Sequence, residues 1–372
     1  MRFETKAIHA GLDIGNPSRS IVPPISPSTI FEIDKAGRKP GDLHYTRLDN
    51  PNRRQFETLI AALEGGEVAA AFSSGIAAAT AILQSLEPGD HLLIPDDVYA
   101  GNRKMVNSIM VRWGLDVDFI NMTDPSEVEE YIKPSTKVIW VETPSNPLMQ
   151  ITDIRATAGI AKANNIRLVV DNTWPTPVNQ RPLDLGADLV MHSTSKYFGG
   201  HSDLLGGAVV SKESDPFFEQ IRITQRMGGA VPSPQDCWML SRSTRSLAYR
   251  MKGHNEHALE LAEFLENHPR IEKVYYPGLK SHPQHEIAKK QMSGFGGMIS
   301  FFVDGNLDES ITIVGKSKLI KRATSLGGVE STWEHRGSSE GEGSVSPDNL
   351  IRLSAGLEHP EDLKEDLEQA LG

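Results

Sequence analysis

Asp188-Leu189-Val190-Met191-His192-Ser193-Thr194-Ser195-Lys196-Tyr197-Phe198-Gly199-Gly200-His201-Ser202-Asp203 places a lysine just past a short apolar strand, among hydroxyls, aromatics and glycines. A solvated surface lysine normally has polar helical neighbours, whereas the strand ends of α/β sheets carry sites. An ammonium in such a place is partly desolvated, so its pKa falls and the free amine becomes a nucleophile toward a carbonyl. Ser193 and Ser195, on alternate positions beside Lys196, suit phosphate oxygens. The stretch points to a lysine that carries pyridoxal phosphate as a Schiff base. The competing reading is a solvated lysine beside a glycine turn, and the rest of the chain has to separate the two.

On either side of this stretch, helix and short apolar strand alternate. The strands read from the sequence are His91–Pro95, Lys137–Val141, Arg167–Val170 and Asp188–Met191. Near-continuous apolar runs of that length suit strands buried on both faces. Helical segments such as Asp153–Asn164 serve as crossovers, which predicts an α/β fold with a mostly parallel sheet wrapped by helices. Residues 1–50 are rich in Pro, Gly and Ser and are expected to form an extended arm packed on another subunit or domain. Residues 51–235 are expected to form the large domain. Residues 236–372 are expected to form a smaller α+β domain with a long helical stretch (Gln235–Asn267), a strand ending Gly296–Val303, two further strands and a closing helix, Pro360–Leu371. The Gly/Ser-rich acidic segment Gly337–Ser346 reads as a mobile surface loop.

The 372 residues carry 38 Lys and Arg against 49 Asp and Glu, a net charge of -11, which gives no general attraction to nucleic acid or an anionic membrane. Small molecules are the expected partners, and no residue set suggests a metal. One cysteine, Cys237, rules out an intramolecular disulfide and reads as buried packing beside Trp238 and Met239. The N-terminus lacks the apolar core of a signal peptide, and no apolar run reaches the ~18–20 residues a membrane span needs. A cytoplasmic location is expected.

Three further features lie at strand ends. Asp171 closes Leu168-Val169-Val170, where a carboxylate can hold a pyridine nitrogen protonated and so make the ring an electron sink; an Asx turn is its ordinary reading. Phe72-Ser73-Ser74-Gly75-Ile76 leads into an alanine-rich helix whose bare N–H groups suit an anion, although simple capping by Ser74 explains the same residues. Tyr99, after His91–Pro95, is placed to stack on a planar ring or to serve structure alone.

These residues and motifs resemble the Cys/Met-metabolism (transsulfuration) family of fold-type-I pyridoxal phosphate enzymes, from Ala7-Ile8-His9-Ala10-Gly11 to Ile351-Arg352-Leu353-Ser354-Ala355-Gly356. The resemblance implies the aspartate-aminotransferase-like fold. It implies Lys196, Tyr99 and Asp171 as catalytic residues, with the phosphate on Gly75, Ile76, Ser193 and Ser195. It also implies that Tyr45 and Arg47 reach the phosphate of a neighbouring subunit, so that dimers share active sites and pair into a tetramer. Asn146, in Glu142-Thr143-Pro144-Ser145-Asn146-Pro147, would contact cofactor and substrate, and Arg352 with Ser325 would hold the substrate α-carboxylate. The implied reaction is γ-replacement of an O-acylhomoserine by cysteine. A γ-lyase, a related C–S lyase or a homoserine sulfhydrylase are alternatives, and an aminotransferase on the same fold is a remoter one. The chain departs from the family pattern at Ala100-Gly101-Asn102, at Thr324, and at Arg336-Gly337-Ser338-Ser339-Glu340-Gly341, which follows Glu334-His335 where Pro-Ala-Ser-Met-Thr-His is usual.

Overall fold

A computed structural model describes residues 1–39, 42–341 and 346–372. Seven strands form the larger sheet: β1 (Val68–Phe72), β2 (His91–Pro95), β3 (Asp116–Ile120), β4 (Thr136–Glu142), β5 (Arg167–Asp171), β6 (Leu189–Ser193) and β7 (Gly207–Ser211), in the order β1-β7-β6-β5-β4-β2-β3. Every pairing is parallel except those of β7, which runs antiparallel to both β1 and β6. The apolar runs are continuous because both faces are covered. Ala71, Leu93, Ile139, Val141, Leu168, Val170 and Val190 pack on one side, while Ala70, Leu92, Val138, Trp140, Val169 and Leu189 pack on the other. Beyond the four expected strands, β1, β3 and β7 are additional. The sequence Val-Ala-Ala-Ala-Phe of β1 has no β-branched run, so only its place at the sheet edge makes it a strand.

The second sheet has the order β10-β11-β12-β9-β8, from β8 (Ile271–Tyr275), β9 (Met298–Val303), β10 (Lys321–Arg322), β11 (Thr332–His335) and β12 (Leu350–Ser354). Four strands thus accompany β9 where two were expected. The closing helix, Pro360–Leu371, buries Leu363, Leu367, Ala370 and Leu371 against this sheet.

Three local expectations need correction. The N-terminal segment is not extended throughout. Phe3–His9 is helical, with Glu4 in its first turn, and it buries Ala7 while Lys6 Nζ donates to Ala62 O (3.3 Å). The stretch Gln235–Asn267 is two helices, Pro234–Thr244 and Leu247–Glu266. At the break, Ser243 O accepts from Ser246 N (3.2 Å), the Ser246 hydroxyl (3.1 Å) and Arg250 Nη2 (3.0 Å), so a tight turn and two side chains take over from the regular helical ladder. The segment read as a mobile loop begins with a helix, Arg336–Glu340, whose first residue is buried. An ion-paired arginine anchors it inward, which Gly/Ser composition could not reveal. Residues 342–345 of that segment lie outside the described residues. Cys237 is fully buried, and burial pushes its thiol pKa up.

Candidate active site

The carboxyl ends of β2, β4, β5 and β6 open on a cavity of about 680 Å³, closed from the other side by β10–β12 and their connections. Beyond β6 the chain turns tightly: Gly199 N donates to Thr194 O (2.9 Å) and Gly200 N to Lys196 O (2.7 Å). This turn presents Lys196 to the cavity, where Nζ donates to Ser325 Oγ at 2.5 Å. Burial, and then the neighbouring Arg352 charge, lower the Lys196 pKa to about 8. Ser325 has φ 84°, a left-handed conformation that costs a non-glycine residue about 1–3 kcal/mol. The strained backbone is held by Arg352 Nη2, which donates to Ser325 O (3.2 Å).

Asp171 ends β5 on the same cavity and accepts from Thr173 N through Oδ1 (3.0 Å), so the Asx turn and the site placement coexist. Burial raises its pKa, against the pull of the Thr173 bonds and of His192. Behind it, His192 Nε2 lies 2.5 Å from Glu64 Oε1, with both side chains fully buried. Glu142, opposite Asp171 on β4, also faces the cavity and accepts from Tyr99 N through Oε2 (3.0 Å). Burial first, and then the Asp171 charge, hold its pKa well above the usual carboxylate range.

The helix Gly75–Leu83 starts at the cavity wall. Ser74 caps it by accepting from Ala77 N (3.1 Å), and helix geometry leaves the N–H groups of Gly75 and Ile76 without intrahelical partners. A Cβ on Gly75 would sit 2.7 Å from Ser193 Cβ, so only glycine lets the helix start rest on the end of β6. The Tyr99 ring lines the cavity and is 45% exposed. It folds back over Gly101, where a Cβ would lie 2.3 Å from the ring. The Ser195 hydroxyl is exchanged with Gly206, accepting from its N–H (3.0 Å) and donating to its carbonyl (3.3 Å). Asn102, 2% exposed at the same wall, has no partner for either amide atom among the described residues.

Arg352, on β12, is buried between Trp174, whose ring centroid is 5.9 Å from its guanidinium, and Asn146, whose Oδ1 accepts from Nη1 (2.8 Å). Burial lowers its pKa to about 10, still charged at neutral pH. Tyr45 and Arg47 do not line this cavity. They lie on the N-terminal segment, with the Arg47 guanidinium 5.6 Å from the Tyr45 ring centroid and Nη1 donating to Arg226 O (2.6 Å). Glu142, Trp174 and Arg336 also line the cavity, and Glu334 is bonded to Arg352 beside it, beyond the site residues expected from the sequence. Glu142 carried the same signal as Asp171, a carboxylate closing an apolar strand.

An anion cradle at a helix start, a carboxylate at a strand end, a desolvated lysine and a ring that can cover the gap fit pyridoxal phosphate part by part. The Cys/Met metabolism PLP-dependent enzyme family matches residues 4–372. The chain belongs to that family. It is 43% identical to a cystathionine gamma-synthase of Mycobacterium tuberculosis, over 99% of this chain and 96% of the relative. It is 42% identical to a cystathionine gamma-lyase of Bacillus subtilis, over 100% of this chain and 99% of the relative. The crystal structure of metB from Corynebacterium glutamicum superposes with a TM-score of 0.96 at 42% identity, covering 100% of this chain and 98% of that one. Like the rest of the family, the protein is a pyridoxal phosphate enzyme acting on amino acids.

Proposed function

We propose that the protein is a cystathionine γ-synthase, replacing the γ-substituent of an O-acylhomoserine with cysteine. The observation that carries the reading is the meeting of Lys196, Asp171 and Arg352 in one cavity: a free amine, a pyridine partner and a carboxylate clamp. Bound there, pyridoxal phosphate supplies an electron sink for carbanion charge at the substrate Cα. Gly75, Ile76, Ser193 and Ser195 hold its phosphate, Asp171 its ring nitrogen, and Tyr99 covers its ring; Asn146 contacts cofactor and substrate. Arg352 fixes the α-carboxylate, which points Cα at Lys196 Nζ. The lysine amine removes the Cα proton, and a further proton shift at Cβ permits loss of the γ-group. Ser325 Oγ, in contact with Nζ, orients the lysine between these transfers.

Thr324 stands on the cavity wall where many cystathionine enzymes have a glutamate for the distal amine, a contact that would serve incoming cysteine and bound cystathionine alike. The preference for the synthase therefore draws its support from the relatives that bear that name. The second reading, a cystathionine γ-lyase, keeps support from Glu330, a carboxylate lining the same cavity. Incubation with O-succinyl- or O-acetylhomoserine, with and without cysteine, separates the two. Cystathionine formed only when cysteine is present supports the synthase. Rapid keto-acid release from cystathionine itself overturns it.

The reading extends to the assembly. Tyr45 and Arg47 lie away from their own cavity, which supports their reaching that of a second copy, in a dimer that pairs into a tetramer. We also assign an arm (1–50), a cofactor domain (51–235) and a C-terminal domain (236–372), because the two sheets draw on separate chain segments. The single, buried Cys237 fits a cytoplasmic location, and among the described residues no helix is long and apolar enough to cross a membrane.

A further inference from the structure

Glu334 and Arg352 face each other across the β11–β12 pair, and Glu334 Oε1 accepts from Arg352 Nη2. The same oxygen accepts from Arg336 Nη1 at 2.6 Å. One carboxylate oxygen is therefore shared by two guanidiniums, all three side chains being 5% exposed or less. Arg336 also donates through Nη2 to Glu340 Oε1 (2.5 Å), whose other oxygen accepts from Ser346 Oγ (2.8 Å). Arg336 lines the cavity beside Arg352, and it stands at one of the positions where the chain leaves the family pattern.

The arrangement has a consequence for ligand binding. A buried one-to-one pair of Glu334 with Arg352 would be strong in a low-dielectric interior, and an incoming carboxylate would have to break it. A second guanidinium on the same oxygen gives Glu334 somewhere to remain when Arg352 turns to a substrate. Neither buried charge is then left alone at any stage, and the penalty for an orphaned charge is avoided.

We infer that Arg336 is a positioning residue for α-carboxylate recognition: it retains Glu334, so that Arg352 is released to the substrate. The inference rests on the reading that Arg352 binds the α-carboxylate. It makes Glu334 a competitor of the substrate, held in check by Arg336, and so predicts a non-additive pair of substitutions.

Calorimetric titration of the cofactor-loaded enzyme with L-alanine, which has no γ-leaving group, tests the inference without turnover. L-alaninamide, which lacks the carboxylate, is the control ligand. Arg336→Gln should weaken L-alanine binding about tenfold, the scale of one charge-assisted contact, and leave L-alaninamide within about twofold. Glu334→Gln should leave L-alanine binding at or above the wild-type level, and the Glu334→Gln/Arg336→Gln pair should recover most of the loss. Arg336→Lys, which keeps a cation on Glu334, should bind nearly as wild type; the same comparison serves if the glutamine variant does not fold. Wild-type binding by Arg336→Gln, a double variant as weak as Arg336→Gln alone, or a large loss in Glu334→Gln would each overturn the inference. Arg352→Gln stands apart. If it leaves the preference for L-alanine over L-alaninamide unchanged, the α-carboxylate is not at Arg352 and the underlying reading fails.

Discussion

Lys196 was legible as a reactive lysine because its neighbours cannot solvate it, and its pKa of about 8 expresses the same fact. Folding lowers that pKa, so between about pH 8 and the ordinary lysine range the unfolded chain binds more protons than the folded one. The lysine thus costs the cofactor-free protein stability below about pH 8, and the cost fades as pH rises. Lys196→Met should therefore raise the melting temperature of cofactor-free protein at neutral pH; a fall would contradict the desolvated state. Capture of added pyridoxal phosphate by cofactor-free enzyme should quicken with pH around a midpoint near 8, followed by its visible absorbance. Glu142 and Asp171 make a second contrast. Burial and the neighbouring Asp171 charge push the Glu142 pKa up, towards its neutral form, so Glu142→Gln is the milder change and kcat should fall less than about tenfold. Asp171→Asn removes the carboxylate proposed to hold the ring nitrogen protonated and should cost about 100-fold or more in kcat. Comparable losses in the two variants would show that Glu142 works as a charge.

At the scale of elements, the site depends on how closely the helix Gly75–Leu83 approaches β6. Gly75→Ala places a methyl group 2.7 Å from Ser193 Cβ, which has to push the helix start, the proposed phosphate cradle, away from the end of β6. Cofactor affinity, read by equilibrium dialysis, should fall about tenfold or more, and the melting temperature of the cofactor-free protein should drop as well, since overpacking of this kind costs about 1–3 kcal/mol. Sequence indicated the helix and its Ser74 cap, but not that Gly75 is required by a contact with a strand more than a hundred residues away. The segment joining the helix Leu307–Lys316 to β10 shows the same limit. Burial opposes ionisation of Asp366, but the Ser317 hydroxyl and the N–H groups of Ile320, Lys318 and Leu319 outweigh it and lower its pKa. Stability from Asp366 is present above the ordinary carboxylate range and is lost as pH falls through its lowered pKa. Asp366→Ala should cost about 1–3 kcal/mol in denaturant unfolding at neutral pH, with a smaller cost in acid. Nothing in Pro360–Leu371 marks this aspartate apart from its exposed acidic neighbours, because its partners come from another part of the chain.

At the scale of the whole molecule, Tyr45 and Arg47 supply a test of shared sites. Arg47→Ala and Lys196→Ala should each be nearly inactive, while mixing them under subunit exchange should restore up to about a quarter of wild-type activity, as expected for dimers in which one site of two is intact. No recovery would place Arg47 in its own subunit's site or outside any site. The local chemistry determined a good deal by itself. Apolar runs too short for buried helices, closed by Asp171, by Glu142, by the Lys196 turn or by the residues before Tyr99, pointed to a two-faced parallel sheet with a site along one edge. A strand buried on both faces has to be apolar throughout, and its end is where polar side chains can first appear. Tertiary structure alone decided the rest. The antiparallel β7, the strand state of Val68–Phe72, the inward helix Arg336–Glu340, and the sharing of Glu334 between Arg336 and Arg352 all arise from contacts between distant segments. Their energies depend on which groups are desolvated together, and a chain of residue types does not record that until it is folded.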